Sequence, residues 1–429
     1  MKKKVLPKVE PVHLKDHFGM KPGKWLTILY ASVFLLLVFL ICFLPGIING
    51  SKRVSFTSAA YNAAVYIDGS YAGGTPFTKT VSSGSHEVVY SVNGYEIDRF
   101  TIKVSHPVFL TWLVPRKQTV ESSATLTGEA FNALTKEFLT DVASYSAVLS
   151  YDSVYNYPPL FENYANSIKG YEKSAKEYLD LACLFITTEE MKADAEKASA
   201  ILNISLDTAM KTPLSEGDTT VPSSIKATEL YGISGYTVGN EFSISRNEIT
   251  EIQYVDFIKE VPYWSKENLQ TLIEDKVADS YYLADVNTDS PSETRPVRNI
   301  SYYAAAAFCS WLSSKTGKNV ALPTENQWIE AASGAEQSYQ RTLVSASTSD
   351  TIVSMFGGVW EFTSSPYIPG ARFSDEVAQQ FLSTGAEADV VVKGGSFVNS
   401  SSEISLWTAG AWECSSCSDY LGFRIIWTN

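Results

Sequence analysis

The segment from Trp25 to Leu44 contains no charged residue and is almost entirely apolar. As a helix it would extend about 30 Å, the thickness of the hydrocarbon core of a bilayer. Lysines are concentrated in residues 1–24, and only Lys52 and Arg53 follow closely. This bias predicts a single-pass anchor in the inner membrane, with a cytoplasmic N-terminus and periplasmic domains beyond the span. A cleaved signal peptide is the alternative, although no small-residue cleavage site follows this long run.

Composition limits what the rest of the chain can be. With 429 residues, of which 45% are hydrophobic, it is long enough for two or three globular domains. The formal net charge of -13 argues against a nucleic-acid partner, because phosphates require a basic face. All four histidines lie at or before His106, so none can serve a site in the C-terminal part. Five cysteines are too few for a disulfide scaffold.

Residues 51–120 have the pattern of a small β domain. Val88, Tyr90 and Val92 alternate with other residues, and Asp68-Gly69 predicts a tight turn. The run IDGSYAGGTP, followed by the Gly-Ser-His turn at His86, resembles the PEGA domain. That resemblance implies a small β-sandwich used for binding or spacing rather than catalysis. We predict that His86 is a structural turn residue and not a ligand.

Residues 121–210 change to a helical period. Apolar and aromatic residues recur at spacings of three and four, the spacing of one helix face: Phe131, Leu134, Phe138, Val142, Tyr145, then Phe161, Tyr164, Ile168. This stripe predicts a core between helices, with a ligand-stacking face as the alternative. We expect a helical spacer that separates the β domain from the C-terminal domain. Residues 211–228 are rich in Pro, Ser, Thr and Gly and predict a linker.

Residues 229–429 carry a series of short motifs. In order they are Asn247-Glu248-Ile249-Thr250, Arg295-Pro296-Val297-Arg298-Asn299-Ile300-Ser301-Tyr302, Leu322-Pro323-Thr324-Glu325, Gly357-Gly358-Val359-Trp360-Glu361, Lys393-Gly394-Gly395-Ser396-Phe397 and Gly422-Phe423-Arg424. This series resembles the formylglycine-generating enzyme family, also called sulfatase-modifying factors. The resemblance implies a C-type-lectin-like fold, a mixed α+β arrangement with much irregular loop. The predicted fold class is therefore multi-domain α+β: a transmembrane helix, a PEGA-like β-sandwich, a helical spacer and this domain.

The resemblance also implies a chemistry that this sequence lacks. Active members oxidise a substrate cysteine with copper held by two cysteines, a ligand pair that suits soft Cu(I). Those cysteines follow the Gly-Gly-Ser-aromatic motif, two and seven residues after the aromatic. With Phe397 as the aromatic, the positions are Asn399 and Ile404, and neither can bind Cu(I) in that way.

A calcium site is implied by the family motif Gly-Asn-Val-Trp-Glu. Here Gly358 replaces its asparagine, whereas Glu361 remains. Glu361 is thus a candidate ligand for Ca²⁺, with one side-chain oxygen fewer to support it. We predict that the domain has no cofactor, with Ca²⁺ at Glu361 as the exception.

The remaining candidate for chemistry is the pair Cys414 and Cys417 in a CxxC motif. A local disulfide is the simplest prediction for an exported domain, and a redox pair or displaced copper ligands are the alternatives. A zinc site would need a second CxxC or a histidine, and the domain contains neither. We predict that Cys309, on an apolar helix, is a buried free thiol.

Three functions are compatible with this sequence. The first is a non-catalytic domain for protein recognition or envelope-complex assembly, with Trp407 and Trp412 as a contact surface unless they belong to the core. The second is a cell-wall or glycan-binding anchor that uses the PEGA-like domain. The third is a divergent copper oxidase that forms formylglycine. The absent cysteines at 399 and 404 favour the first over the third.

Overall fold

The computed structural model describes residues 14–428 apart from 49, 60–62, 107, 111–116, 150–155, 169, 219–220 and 344–349. Of the predicted cytoplasmic segment 1–24, residues 1–13 thus lie outside the described residues. The chain forms two compact units, Met1–Ala130 and Phe131–Asn429, and each is described by itself.

The first unit begins with the helix α1, Pro22–Cys42, and a short helix α2, Leu44–Ile48. No residue of α1 is buried, and its length and apolar composition are sufficient to cross a bilayer. These features suggest a membrane anchor or a signal sequence. Pro22 begins the helix, because proline is tolerated where the backbone N–H has no intrahelical partner. Pro45 lies in the first turn of α2, where its missing backbone N–H is tolerated.

The described residues of this unit also form the strands β1 Ser51–Ser58, β2 Ala64–Ile67, β3 Ser70–Gly74, β4 Phe77–Ser82, β5 Gly84–Val92, β6 Tyr95–Val104 and β7 Lys117–Ser122. They form one sheet of order β4-β1-β7 and another of order β3-β2-β5-β6. Val54 and Phe56 of β1 are buried, as are Val65, Val88 and Tyr90 of the other sheet. Buried side chains from both sheets form the core of the predicted β-sandwich.

The predicted turn at Asp68-Gly69 joins β2 to β3. Both residues have positive φ, +51° and +79°, as the common two-residue hairpin turn requires. The Asp68 carboxylate also contacts the next strand pair, because it accepts from Glu87 N at 2.9 Å and lies 2.6 Å from His86 Nδ1. His86 therefore fastens the turn to β5, which is the structural role predicted for it. The hydrogen bond raises the pKa of His86 and lowers the pKa of Asp68.

This pair predicts a pH dependence. His86 stabilises the fold fully below its unfolded pKa of about 6.5 and loses that contribution as pH rises through its folded value. Asp68 contributes above its unfolded pKa of about 3.9 and loses that contribution at lower pH. The pair is thus most stabilising between these two values.

We expect an NMR titration to give His86 a pKa above the ordinary value, and Asp68→Asn to return it towards that value. Asparagine tolerates positive φ, so the turn is preserved. An unchanged His86 pKa in Asp68→Asn would contradict the assignment.

At the start of the second unit, the described residues form the helices α3 Gly128–Leu149, whose first turn still belongs to the first unit, α4 Leu160–Ser167, α5 Glu172–Cys183 and α6 Glu189–Leu202. The predicted apolar stripe is their common core. Phe138 stacks on Tyr164 with ring centroids 4.1 Å apart, and both side chains are buried. The stripe is therefore a helix–helix core and not a ligand-stacking face.

This helical block is packed on the C-terminal domain, so it is not an independent spacer. Phe185 contacts Phe381 with centroids 5.3 Å apart, and Glu387 N donates to Thr140 Oγ1 at 3.0 Å. The block buries a second apolar surface in this contact, which the single-helix periodicity did not reveal.

The predicted linker 211–228 also needs correction. Its end belongs to the strand β8, Ile225–Leu230, and Leu214 O accepts a 2.6 Å hydrogen bond from Arg372 Nη1. Polar composition predicted a free linker, yet backbone hydrogen bonds hold this segment to the domain.

The C-terminal domain comprises these remaining elements: β8, β9 Ile233–Val238, β10 Phe242–Ser245, α7 Glu251–Glu260, α8 Leu269–Glu274, α9 Tyr302–Thr316, β11 Asn319–Ala321, α10 Glu325–Ser333, β12 Tyr339–Gln340, β13 Phe356–Gly357, β14 Trp360–Pro366, α11 Asp375–Ser383, β15 Val390–Lys393, β16 Ala409–Trp412, β17 Leu421–Gly422 and β18 Ile426–Thr428. Three short 3₁₀ segments lie at Pro262–Trp264, Lys266–Asn268 and Pro369–Ala371.

The main sheets of this domain have the orders β11-β18-β10-β9-β8 and β16-β15-β14-β17. Long loops connect their short strands, as expected for the mixed α+β domain predicted from the motifs. The strand β14 brings Glu361 into the centre, and the segment before β18 brings Arg424. The description of this domain as C-type-lectin-like stays a prediction.

Candidate functional site

A fully buried ion pair lies at the centre of the C-terminal domain. Arg424 donates from Nε and Nη2 to the two carboxylate oxygens of Glu361, each at 2.6 Å. Trp328 Nε1 adds a third hydrogen bond to Glu361 Oε2 at 2.7 Å. Glu361, Arg424 and Trp328 come from three separate motifs, which this contact joins.

Main-chain carbonyls complete the surroundings of Arg424. Its Nη1 and Nη2 atoms donate to the carbonyl oxygens of Ser245, Arg246, Val353 and Ser354, at 3.0 to 3.3 Å. A buried charge is costly unless it is paired and hydrogen-bonded, and here the guanidinium meets both conditions.

Glu361 does not fit the calcium role that the sequence suggested. Both of its oxygens already accept hydrogen bonds from Arg424 or Trp328, so binding a cation would leave the buried guanidinium without its counter-charge. Within the described ranges, no group of three or more His, Cys, Asp or Glu residues is arranged to hold a metal ion.

A second carboxyl group, that of Glu248, lies beside this pair. Burial, followed by the negative charge of Glu361, raises the pKa of Glu248 to about 8. A Cβ on Gly358 would lie 2.7 Å from Glu248 Oε1, and Gly358 has a φ of +66°. Gly358, which stands where the family motif has asparagine, therefore leaves open the space next to the Glu248 carboxyl group. An asparagine side chain at position 358 would have to displace that carboxyl group.

A further buried cluster surrounds Glu325. Arg372 Nη2 donates to Glu325 Oε1 at 2.6 Å, and Lys393 Nζ donates to the same oxygen at 3.2 Å. Burial lowers the pKa of Lys393 to about 8. These residues fix α10 against β15 and the loop at Arg372, and the sequence analysis did not identify them. A charged residue next to an apolar run, such as Lys393 after residues 390–392, is the sequence feature that could have pointed to this buried cluster.

The two positions that hold copper ligands in the resembling family have structural roles here. Asn399 Oδ1 accepts from Ser396 N at 2.9 Å and from Ser396 Oγ at 3.0 Å, which closes a turn. Ile404 packs against the core, and a Cβ on Gly395 would lie only 2.6 Å from its Cγ1. Neither side chain can serve Cu(I) in this arrangement.

Cys414 and Cys417 are free thiols in this structure. Cys414 Sγ lies 3.6 Å from Ala388 O, whereas Cys417 Sγ lies 3.8 Å from Ser415 O, and the two residues line different cavities. The local disulfide is therefore absent from this conformation and stays a prediction. Burial raises the pKa of Cys414 to about 12 and raises that of Cys417 as well. A redox pair needs the opposite shift, because the thiolate is the reactive form.

The other cysteines are also free. Cys309 is buried in α9, as predicted, and burial raises the pKa of its thiol. Cys183 is buried at the end of α5, and Cys42 ends α1.

The predicted contact surface at Trp407 and Trp412 is mainly core packing. Both side chains are half-buried against hydrophobic clusters, and Trp412 Nε1 donates to Ser416 O at 3.0 Å.

Exposed apolar surface lies instead at Val398 and Tyr420, beside the half-buried Phe397, and we call these three residues the Phe397 patch. Val398 is 57% exposed and Tyr420 is 39% exposed, and the rings of Phe397 and Tyr420 are 5.7 Å apart. Phe397 and Val398 of this patch directly follow the Gly-Gly-Ser motif. That position could have identified them from the sequence, but the sequence analysis did not consider it.

The fold and this motif constellation define a protein with a small β domain and a mixed α+β domain of the sulfatase-modifying class. Residues 216–350 and 346–429 match the family model of the sulfatase-modifying factor enzyme 1-like domain, and residues 51–108 match that of the PEGA domain. The C-terminal half of the chain is thus a sulfatase-modifying factor enzyme 1-like domain, and a PEGA domain precedes it.

Individual relatives resemble parts of the chain. An uncharacterized protein of Borreliella burgdorferi is 35% identical over 97 residues, which are 22% of this chain and 19% of that protein. The chain therefore spans about a fifth of that relative's length.

Two solved structures align with about half of this chain. PvdO from Pseudomonas aeruginosa is 13% identical, with 48% of this chain and 92% of that chain covered and a TM-score of 0.32. Treponema denticola variable protein 1 is 15% identical, with 49% and 94% covered and a TM-score of 0.29.

The central ion pair predicts a large effect of one substitution. Glu361→Gln leaves the buried charge of Arg424 uncompensated, and we expect a loss of about 3–5 kcal/mol of unfolding free energy, or insoluble protein. The matched control is Asp256→Asn, which neutralises the exposed pair with Lys259 and should cost less than about 1 kcal/mol. Urea unfolding followed by tryptophan fluorescence measures both. Equal stability of the two variants would contradict the central role of Glu361.

Proposed function

We propose that this chain is a membrane-anchored, exported bacterial protein whose C-terminal domain is non-catalytic and serves protein recognition or envelope-complex assembly. The observation that carries the proposal is the use of positions 399 and 404. Asn399 closes a turn and Ile404 packs against the core, so both positions that correspond to the copper ligands serve the scaffold here.

The CxxC motif gives little support to an oxidase. Cys417 is buried and Cys414 is half-buried, the two thiols lie against different carbonyl groups, and their raised pKa values leave little thiolate at neutral pH. Copper binding and thiol activation both need the thiolate form. Recognition requires no such group, and it is therefore the function that the residues support best.

The Phe397 patch is the surface we assign to this recognition. It exposes Val398 and Tyr420 beside the half-buried ring of Phe397, next to the positions 399 and 404 that correspond to the copper ligands of the resembling enzymes. Aromatic residues are enriched in the energetically important parts of protein interfaces. The expected partner is another protein of the cell envelope.

The location follows from the N-terminal helix. Lysines precede the apolar span in excess, which favours an N-terminus in the cytoplasm and a single pass through the inner membrane. The PEGA domain and the C-terminal domain would then lie in the periplasm.

One labelling experiment tests surface and location together. Val398→Cys and the control Val221→Cys each place a thiol at an exposed valine, 57% and 70% exposed respectively. A membrane-impermeant maleimide that carries a photoreactive group is applied to intact cells with a permeabilised outer membrane. The native thiols of the domain, Cys309, Cys414 and Cys417, should react slowly because their pKa values are raised.

We expect both variants to be labelled, and only Val398→Cys to be joined to a discrete partner upon illumination. Absence of label on both would overturn the exported location. The same products from both positions, or none from Val398→Cys, would overturn the recognition surface.

A further inference from the structure

A cavity of about 380 Å³ lies between the loop after α8 and the segment that precedes β17. Tyr281 and Asp285 line it on one side, and Ser418 and Asp419 on the other, with Asn299 between them. We call it the Asn299 pocket. Its size is near the lower end for small-molecule sites, which suits a single side chain or a similarly small group.

Asn299 is the unusual residue of this pocket. It is only 3% exposed, and within the described part of the chain no group hydrogen-bonds its side-chain amide. Its main chain is fixed, because its N donates to Ser418 O at 2.9 Å and its O accepts from Leu283 N at 2.6 Å. Its φ of +53° is tolerated by asparagine. The structure thus holds a buried amide in the wall of a cavity without using it.

The pocket is also negatively charged. Asp285 and Asp419 contribute carboxylates, and the Asp279 carboxylate lies behind them, where it accepts from Tyr281 N at 2.8 Å and Cys417 N at 3.0 Å. Two cations lie nearby. Arg298 has its Nη2 3.7 Å from Asp285 Oδ2 and its Nη1 bonded to Asp419 O, and Lys266 Nζ donates to Ala284 O at 3.2 Å. Three carboxylates against these two cations leave one negative charge in excess.

An aromatic ring completes the rim. Tyr281 is 64% exposed although Asp279 fixes its backbone. An exposed tyrosine beside carboxylates provides a face for a cation, since the ring quadrupole attracts positive charge.

From these features we infer that the Asn299 pocket binds a lysine or arginine side chain of the partner protein. The amide oxygen and the carboxylates accept hydrogen bonds from the cationic group, and Tyr281 covers it. A metal ion is disfavoured, because the described residues contain no cluster of three acidic, His or Cys ligands. A neutral sugar would leave the excess negative charge uncompensated. This inference rests on the proposed recognition function and specifies the chemistry of its partner.

The test uses the full chain in detergent micelles and three fluorescent peptides, Ser-Gly-X-Gly-Ser with arginine, glutamine or glutamate at X. Anisotropy measures binding at low ionic strength, where charge interactions are least screened. Chitotriose and Ca²⁺ are added as competitors, to represent a neutral saccharide and a metal ion. We expect only the arginine peptide to bind, with neither competitor displacing it.

Three variants assign the binding to this pocket. Asp419→Asn should weaken binding about tenfold, because it removes a charge-assisted hydrogen bond. Tyr281→Ala should weaken it about threefold. Asn299→Gly, which permits the positive φ and deletes the amide, should also weaken it. The control Asp289→Asn neutralises an exposed carboxylate of the same loop outside the pocket and should leave binding unchanged.

Equal binding of the arginine and glutamine peptides would overturn the inference, and so would displacement by chitotriose or Ca²⁺. Full binding by both Asp419→Asn and Asn299→Gly would place the cation elsewhere and overturn it too. Failure of this inference can be distinguished from failure of the proposed function. If the pocket fails while Val398→Cys still joins its partner, only the pocket assignment falls.

Discussion

The bidentate contact between Glu361 and Arg424 is the interaction on which the C-terminal domain depends. It joins β14 to the segment before β18, and through Trp328 it includes α10. Arg424 also binds carbonyl groups at the end of β10 and in the segment before β13. The strands of this domain are short and its loops are long, so strand pairing does not connect all of its segments. The buried ion pair, whose hydrogen bonds are all made, connects several of them.

Each position of this domain that departs from the family motifs has a structural role. Glu361 serves Arg424, so it is not free for a cation, and Gly358 provides the room that the Glu248 carboxyl group occupies. Asn399 and Ile404 serve a turn and the core. The scaffold of the sulfatase-modifying class is present, while the groups that would carry its oxidation have been replaced by structural ones. These replacements support recognition as the role of this domain.

Several features could be predicted from the sequence. The motif series indicated the C-terminal domain, and alternation together with Asp68-Gly69 indicated the β domain and its hairpin. In each case a local period or a short motif carries the information. The apolar span from Trp25 was equally clear, and its helix begins only three residues earlier, at Pro22.

Other features depend on contacts between distant segments. The contact between Phe185, in the segment after α5, and Phe381 of α11 leaves no periodic trace in the sequence. The use of Glu325 by both Arg372 and Lys393 leaves none either. The separation of Cys414 and Cys417 into different cavities depends on how the whole segment packs. The buried, unused amide of Asn299 likewise becomes visible only once the cavity is formed.

The most direct measurement of the central claim is an oxidation assay on the full chain. The protein, loaded with copper, is incubated with oxygen and a Cys-x-Pro-x-Arg peptide, and mass spectrometry follows formylglycine. Because Asn399 and Ile404 cannot hold the copper of the resembling enzymes, the account predicts no formylglycine from the wild type or from Cys414→Ser. Turnover by the wild type that is lost in Cys414→Ser would contradict it and establish the protein as an oxidase.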